Sequence, residues 1–279
     1  MASFGIDVSE WQGNFNFNLA KSQGVNFAIL RAAYHRRKDI MFEDNYKNAV
    51  AEGLEVGVYL YAMDRTPDEA RETARWLAVN CLAGKKLSYP IYYDVEDSSI
   101  IELGSAALTD IVMAFCVTLE ELGFWVGIYG GVFTFNHAVN DVELARFTHW
   151  VAAWRNVKPE LDSENEVDLW QFGGETNVIR SVVIAYQVCD QDYSYRDFPL
   201  EIRASKLNGY GVYTLPKPHK DGIKKGSQVA VLKAVTYEGK QFTAYYPVYD
   251  VYEVKGNRVV IGVGQIITCA IHKKNLKLM

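Results

Sequence analysis

Eight short apolar segments, set apart by longer stretches with helical spacing, constrain this 279-residue chain more than any other feature of its sequence. The segments fall at 4–8, 27–33, 56–62, 89–95, 125–129, 148–153, 167–172 and 184–188. Between the first six lie helix-like stretches at 17–23, 42–52, 67–82, 107–122 and 133–146, the last of them weakly patterned. Pro67 followed by Asp68 and Glu69 reads as a helix start, because proline is tolerated in a first turn and acids there oppose the helix dipole. Gly24, Gly53, Gly84 and Gly123 each follow a helix, where a left-handed cap favours glycine. The last two gaps are turn-rich and carry no helical pattern. One contains Pro159; the other opens on Gly173-Gly174 and ends near Arg180. Apolar strands separated by helices imply a buried parallel sheet, and eight strands is a number that closes a barrel. The expectation is an α/β fold: an irregular TIM-like (β/α)5(β)3 barrel over residues 1–205.

The texture then changes. Residues 206–219 are rich in Gly, Pro and Lys and read as a linker. Residues 220–279 hold short alternating segments at 228–235, 241–246, 249–254, 258–263 and 272–276, with turns at Glu238-Gly239 and Gly256-Asn257. Five short strands in so short a stretch suggest a small all-β, SH3-like domain.

Composition narrows the partners. Hydrophobic residues make up 49% of the chain and charged ones 23%, enough apolar surface for a packed core. The net charge of −5 supplies no cationic footprint, so nucleic acid is not an expected partner. No apolar run approaches the roughly 20 residues that cross a bilayer, so membrane insertion is not expected either. The first residues, Met-Ala-Ser-Phe-Gly-Ile-Asp, lack the basic and apolar regions of a signal peptide. If the substrate lies outside the membrane, something else must deliver the chain to it. Cys81, Cys116, Cys189 and Cys269 are widely spaced in apolar stretches and read as reduced, buried thiols. His35, His137, His149, His219 and His272 form no metal spacing. No cofactor is expected, and a divalent cation held by clustered carboxylates is the competing reading.

In a parallel barrel, polar residues at the C-terminal strand ends face the pocket built by the loops. By that rule the site gathers Asp7 from the first strand, Tyr59 and Tyr61 from the third, and Asp94 and Glu96 from the fourth. Tyr129, Trp154, Trp170, Gln171, Asp190 and Asp192 follow from the fifth to the eighth. Asp94 and Glu96 are the most informative pair. Positions two apart in a strand point to one side, with Cα atoms about 6.5–7 Å apart. Two carboxyls so placed repel when both ionise, so one proton is held more tightly. That yields a protonated acid beside an anion, the pair a glycosidase needs. Tyr and Trp rings would wall the pocket and stack on sugar faces.

On these residues the chain resembles the glycoside hydrolase family 25 muramidases, the Chalaropsis-type lysozymes found among phage endolysins and bacterial autolysins. The matching pieces are Gly5-Ile-Asp7-Val-Ser-Glu-Trp-Gln12, Phe27-Ala-Ile-Leu-Arg31-Ala, Gly57-Val-Tyr-Leu-Tyr61-Ala and Pro90-Ile-Tyr-Tyr-Asp94-Val-Glu96. Trp150-Val-Ala-Ala-Trp154, Leu169-Trp170-Gln171-Phe172 and Val188-Cys-Asp190-Gln-Asp192 continue them in family order. The resemblance implies that Glu96 is the general acid and Asp94 its partner, with Asp7 and Asp190 completing the acidic cluster and Arg31 among the substrate contacts. It implies bacterial peptidoglycan as substrate, host lysis as the role, and a C-terminal wall-binding domain of unnamed ligand. It implies too a host bacterial cytoplasm until release through a separate pore protein. The chain departs from the family pattern at Leu60, where many members place a histidine or other polar residue. Two other readings stand beside this one: a non-catalytic wall-binding protein on a degenerate barrel, and a barrel glycosidase acting on chitin-like polymers.

Overall fold

The computed structural model describes residues 2–174, 187–211, 222–244, 248–263 and 266–278. The chain divides into two compact units, residues 1–213 and 214–279.

The first unit is a closed barrel of eight strands: β1 Ser3–Val8, β2 Phe27–Tyr34, β3 Glu55–Tyr61, β4 Ile91–Asp94, β5 Val126–Gly131, β6 Thr148–Ala152, β7 Leu169–Gly173 and β8 Asp190–Ser194. β1 to β7 run parallel in sequence order; β8 is antiparallel to both β7 and β1 and shuts the barrel. The eighth strand is thus not the apolar segment expected at 184–188, of which residues 184–186 lie outside the described residues. Its register sets Asp190 opposite Asp7 and Asp192 opposite Gly5. A two-residue strand, Arg37–Lys38, folds back on the end of β2.

Four helices, at 17–22, 42–51, 67–77 and 105–121, fall where the spacing predicts them; those at 98–101 and 198–205 lie outside the expected stretches. In chain order they are α1 Phe17–Ser22, α2 Phe42–Ala51, α3 Pro67–Leu77, α4 Ser98–Ile101, α5 Ser105–Glu121 and α6 Phe198–Ser205. At the start of α3 the Thr66 hydroxyl accepts a bond from the Glu69 amide, with Pro67 in the first turn. The weak stretch at 133–146 supplies only one wide turn, Thr134–Ala138.

Strand alternation sorts side chains into two cores. Ile6, Val8, Leu30, Val58 and Leu60 point outward and pack with helix residues such as Phe42, Leu77 and Phe115. Phe27, Ile29, Tyr92, Trp150 and Leu169 point inward, where Phe198 and Ile202 of α6 join them. Rings of that size leave little room: a Cβ at Gly127 would sit 2.5 Å from the Tyr92 ring. Asn208, expected in a linker, is fully buried in the barrel unit. Its side chain accepts from the Trp125 amide and donates to the Tyr89 carbonyl.

The second unit is a five-stranded antiparallel sheet. Its strands are β9 Gln228–Val231, β10 Tyr249–Lys255, β11 Arg258–Val263, β12 Ile266–His272 and β13 Leu276–Leu278, in the order β12-β11-β10-β9-β13. Val229, Tyr249, Val251, Val259, Ile261 and Ile271 form its core. The expected strand at 272–276 is instead a short turn, Lys273–Asn275, and β12 was not foreseen. Gln241 makes only an isolated bridge to Val235; residues 245 and 246 of that expected strand lie outside the described residues. Cys81, Cys116 and Cys189 are buried free thiols, and Cys269 is half-buried.

Candidate active site

Where β3 and β4 end, a pocket of about 420 Å³ opens. Tyr59, Tyr61, Asp94 and Glu96 line it, as expected from the strand ends, and so does Arg31, which the resemblance implied. Glu10, Trp11, Tyr34 and Arg37 line it too, and strand-end reasoning missed all four. Glu10 and Trp11 follow β1 in a short turn capped by Ser9. Tyr34 arrives through a bulge. The β2–β3 register slips between Arg31 and Ala33, so Arg31 and Tyr34 both reach the pocket side although three positions apart. Tyr34 then pairs with Tyr61, and their rings stack at 4.8 Å.

Asp94 is 2% exposed, and its Oδ1 has no hydrogen-bond partner among the described residues. Burial pushes its carboxyl well above the usual range, the neighbouring Glu96 adds to this, and Arg31 opposes it. Glu96 stands at the rim and is partly open to solvent. Its pKa is raised as well, by burial first and Asp97 second. Burial leads at both carboxyls, and the Asp94–Glu96 repulsion is second at Asp94 only. Asp97 itself is held low by bonds from Ser99 and accepts from the Tyr61 hydroxyl at 3.1 Å.

A second acidic layer lies beside the pocket rather than in its wall. Gln171 organises it: Nε2 donates to Asp7 Oδ2 at 2.9 Å, while Oε1 accepts from Tyr129 (3.1 Å) and Trp154 (3.2 Å). Burial, then Asp190 and Asp192, raise the Asp7 pKa well above its ordinary value. Asp190 is close against the end of β7, where a Cβ on Gly174 would sit 1.9 Å from its Oδ1, so only glycine fits there.

Two expected sugar contacts are corrected. Trp170 is 4% exposed, packs in the outer core, and donates to the Ala153 carbonyl. It neighbours the inward-facing Gln171 and so must face outward. Asp192 is fully buried and accepts from Trp150 Nε1 at 2.8 Å, which makes it an interior group. Trp154 is 43% exposed and stays at the rim. Leu60, the departure from the family pattern, lies in the outer core and so does not alter the pocket. No group of three or more His, Cys, Asp or Glu among the described residues is arranged to hold a metal ion. No described helix is long and apolar enough to cross a membrane.

A closed β/α barrel with carboxylates gathered at one mouth is the architecture of the barrel glycosidases. Residues 6–180 match the family model for glycosyl hydrolases family 25, and the chain belongs to that family. Lysozyme M1 of Streptomyces globisporus is 44% identical over 59 residues, which is 21% of this chain and 20% of that protein. The autolytic lysozyme of Clostridium acetobutylicum is 28% identical over 182 residues, 63% of this chain and 52% of its own length. The chain thus spans a fifth and about half of these two relatives. The crystal structure of the bacterial lysozyme from Streptomyces coelicolor shares the fold, with a TM-score of 0.61 at 23% identity over 76% of this chain and 97% of that one.

Proposed function

We propose that this protein is an N-acetylmuramidase, a lysozyme that hydrolyses the β-1,4 bond between N-acetylmuramic acid and N-acetylglucosamine in bacterial peptidoglycan. One observation carries the reading: Asp94 presents a buried carboxylate oxygen with no donor, in the same pocket as the raised carboxyl of Glu96. A buried acceptor left unpaired is costly, and a substrate N–H would relieve that cost. The 2-acetamido group of the muramic acid has such an N–H. Bonded to it, Asp94 is favoured in its charged form and turns the acetamido carbonyl toward the anomeric carbon.

The chemistry then runs as two displacements. The acetamido oxygen forms a bond to C1 as the bond to the leaving oxygen breaks, and Glu96 gives its proton to that oxygen. Water next attacks C1, Glu96 takes the water's proton, and the acetamido group is regenerated with configuration retained. NMR of the first product from a wall digest should show the β anomer with muramic acid at the new reducing end. The α anomer appearing first would mean inversion, with Asp94 or Asp190 activating water. Reducing-end N-acetylglucosamine would refute the muramidase reading.

The second unit we take as an SH3-like wall-binding module, and the role as host lysis in the manner of a phage endolysin released through a separate pore. Attachment raises local substrate concentration, so removing residues 214–279 should weaken lysis of intact cells more than cleavage of soluble fragments. Equal losses on both would end the targeting reading. Cytoplasmic expression should lyse a susceptible cell only once its membrane is permeabilised; lysis without that step would contradict the pore-dependent role.

A further inference from the structure

The rim of the pocket carries a cation that neither displacement uses. We propose that Arg37 reads a carboxylate borne on the 3-O-substituent of the muramic acid, and so makes the site selective for acid-bearing glycan. The inference rests on the muramidase reading and names what selects the substrate within it.

The charges around the pocket set the problem. Asp94, Glu96 and Glu10 in its wall, Asp97 beside Tyr61, and the layer of Asp7, Asp190 and Asp192 behind offer an incoming carboxylate no cationic partner. A substrate carboxylate is poorly placed at that mouth unless a cation meets it. Two cations line the pocket among the described residues. Arg31 is 7% exposed and already faces two carboxylates, Asp39 and Glu10, each at 2.8 Å. Arg37 is 58% exposed. Its sequence neighbours Arg36 and Lys38 pair with Glu72 and Glu43, neither of which lines the pocket.

The present partner of Arg37 is easily given up. Its guanidinium meets Glu10 with both prongs, Nη2 to Oε1 at 3.1 Å and Nη1 to Oε2 at 3.5 Å, and Arg31 holds that same Oε1 at 2.8 Å. When Arg37 turns to another carboxylate, Glu10 keeps its buried partner. A guanidinium that stands largely in solvent is held weakly by its ion pair, so exchange for a second carboxylate costs little. The guanidinium also lies 5.9 Å from the centroid of the Tyr34 ring, which stacks on Tyr61. Arg37, Tyr34 and Tyr61 therefore form one strip along the wall, with a planar two-pronged donor beside the Tyr34 ring.

The test uses the full chain and three forms of one wall glycan: with its stem peptides; stripped of them, leaving free lactyl carboxylates; and stripped with those carboxylates amidated. The wild type should bind the amidated form about tenfold more weakly, in KM rather than kcat, as expected for loss of a charge-assisted contact equal in ground and transition states. Arg37→Gln should abolish that preference, and Arg37→Lys should keep part of it. Loss of preference on the stripped glycan assigns the lactyl carboxylate as the ligand; loss on the peptide-bearing form alone assigns a peptide carboxylate. Equal wild-type KM on all three forms overturns the proposal, whether or not Arg37→Gln folds. Failure of the wild type to cleave any of the three overturns the muramidase reading instead.

Discussion

Trp150 and Asp94 both point into the barrel, from β6 and β4, yet the interior treats them in opposite ways. Trp150 is 1% exposed, lies within 4.4–6.0 Å of the Tyr59, Tyr92 and Tyr129 rings, and has its N–H bonded to Asp192. Asp94 is buried nearly as deeply, but one of its oxygens has no partner among the described residues and its charge is opposed by its surroundings. The deep interior is filled with rings and has one buried hydroxyl, that of Tyr92, without a partner among the described residues; the mouth sets an unpaired carboxylate oxygen among other carboxyls. Stability comes from the first region, and readiness for a ligand from the second. Substitutions in the two should therefore fail differently.

The largest effect is expected from the deep region. Trp150→Ala opens a cavity and strips Asp192 of its donor, which should cost about 3–5 kcal/mol. For a unit of this size the unfolding midpoint should fall by roughly 10 °C, read by calorimetry. A midpoint within a degree of wild type would erase the contrast.

The mouth should respond in activity instead. Glu96→Gln keeps the shape at the rim but has no proton to give, so wall lysis should fall by at least about two orders of magnitude. The thermal midpoint should hold or rise slightly, since a carboxylate raised by burial has been neutralised. Near-wild-type lysis by a folded Glu96→Gln protein would dismiss Glu96 as the acid.

The same contrast explains what could be read from the sequence. Seven barrel strands were legible because their outward positions are apolar and one strand follows another at helical distance. β8 was not, because it closes the barrel with carboxylates facing in, and hydrophobicity pointed upstream of it. Asp7, Asp94 and Glu96 were legible from their strand ends. Tyr34 was hidden by the β2 bulge, since strict alternation would put Ala33 on the pocket side. Glu10 and Trp11 sit in a turn just past β1, and Arg37 in the two-residue strand that folds back on β2, stretches too short for periodicity to carry a signal. Trp170 could have been excluded by parity alone, one position from Gln171. In the second unit, β12 escaped because its apolar run does not alternate.

Asp192 tests the boundary between the two regions, because it belongs to both: bonded to Trp150 like a core group, and charged like the mouth. Burial raises its pKa well above the ordinary value, and Asp190 raises it further. In the unfolded chain it titrates near about 3.9. Below that pH both states hold the proton and no penalty exists. As pH rises past it, the unfolded chain releases the proton while the folded barrel still holds it, so stability falls until the folded pKa is passed. Asp192→Asn keeps an acceptor for Trp150 and removes the charge. Its advantage over wild type should be nil below the unfolded carboxyl's pKa and grow as pH rises above it. Thermal melts of both proteins from below that pKa to well above it decide it. An advantage that does not change with pH would mean that Asp192 acts by packing alone, and a variant less stable than wild type at the alkaline end would mean that its charge is wanted where it is.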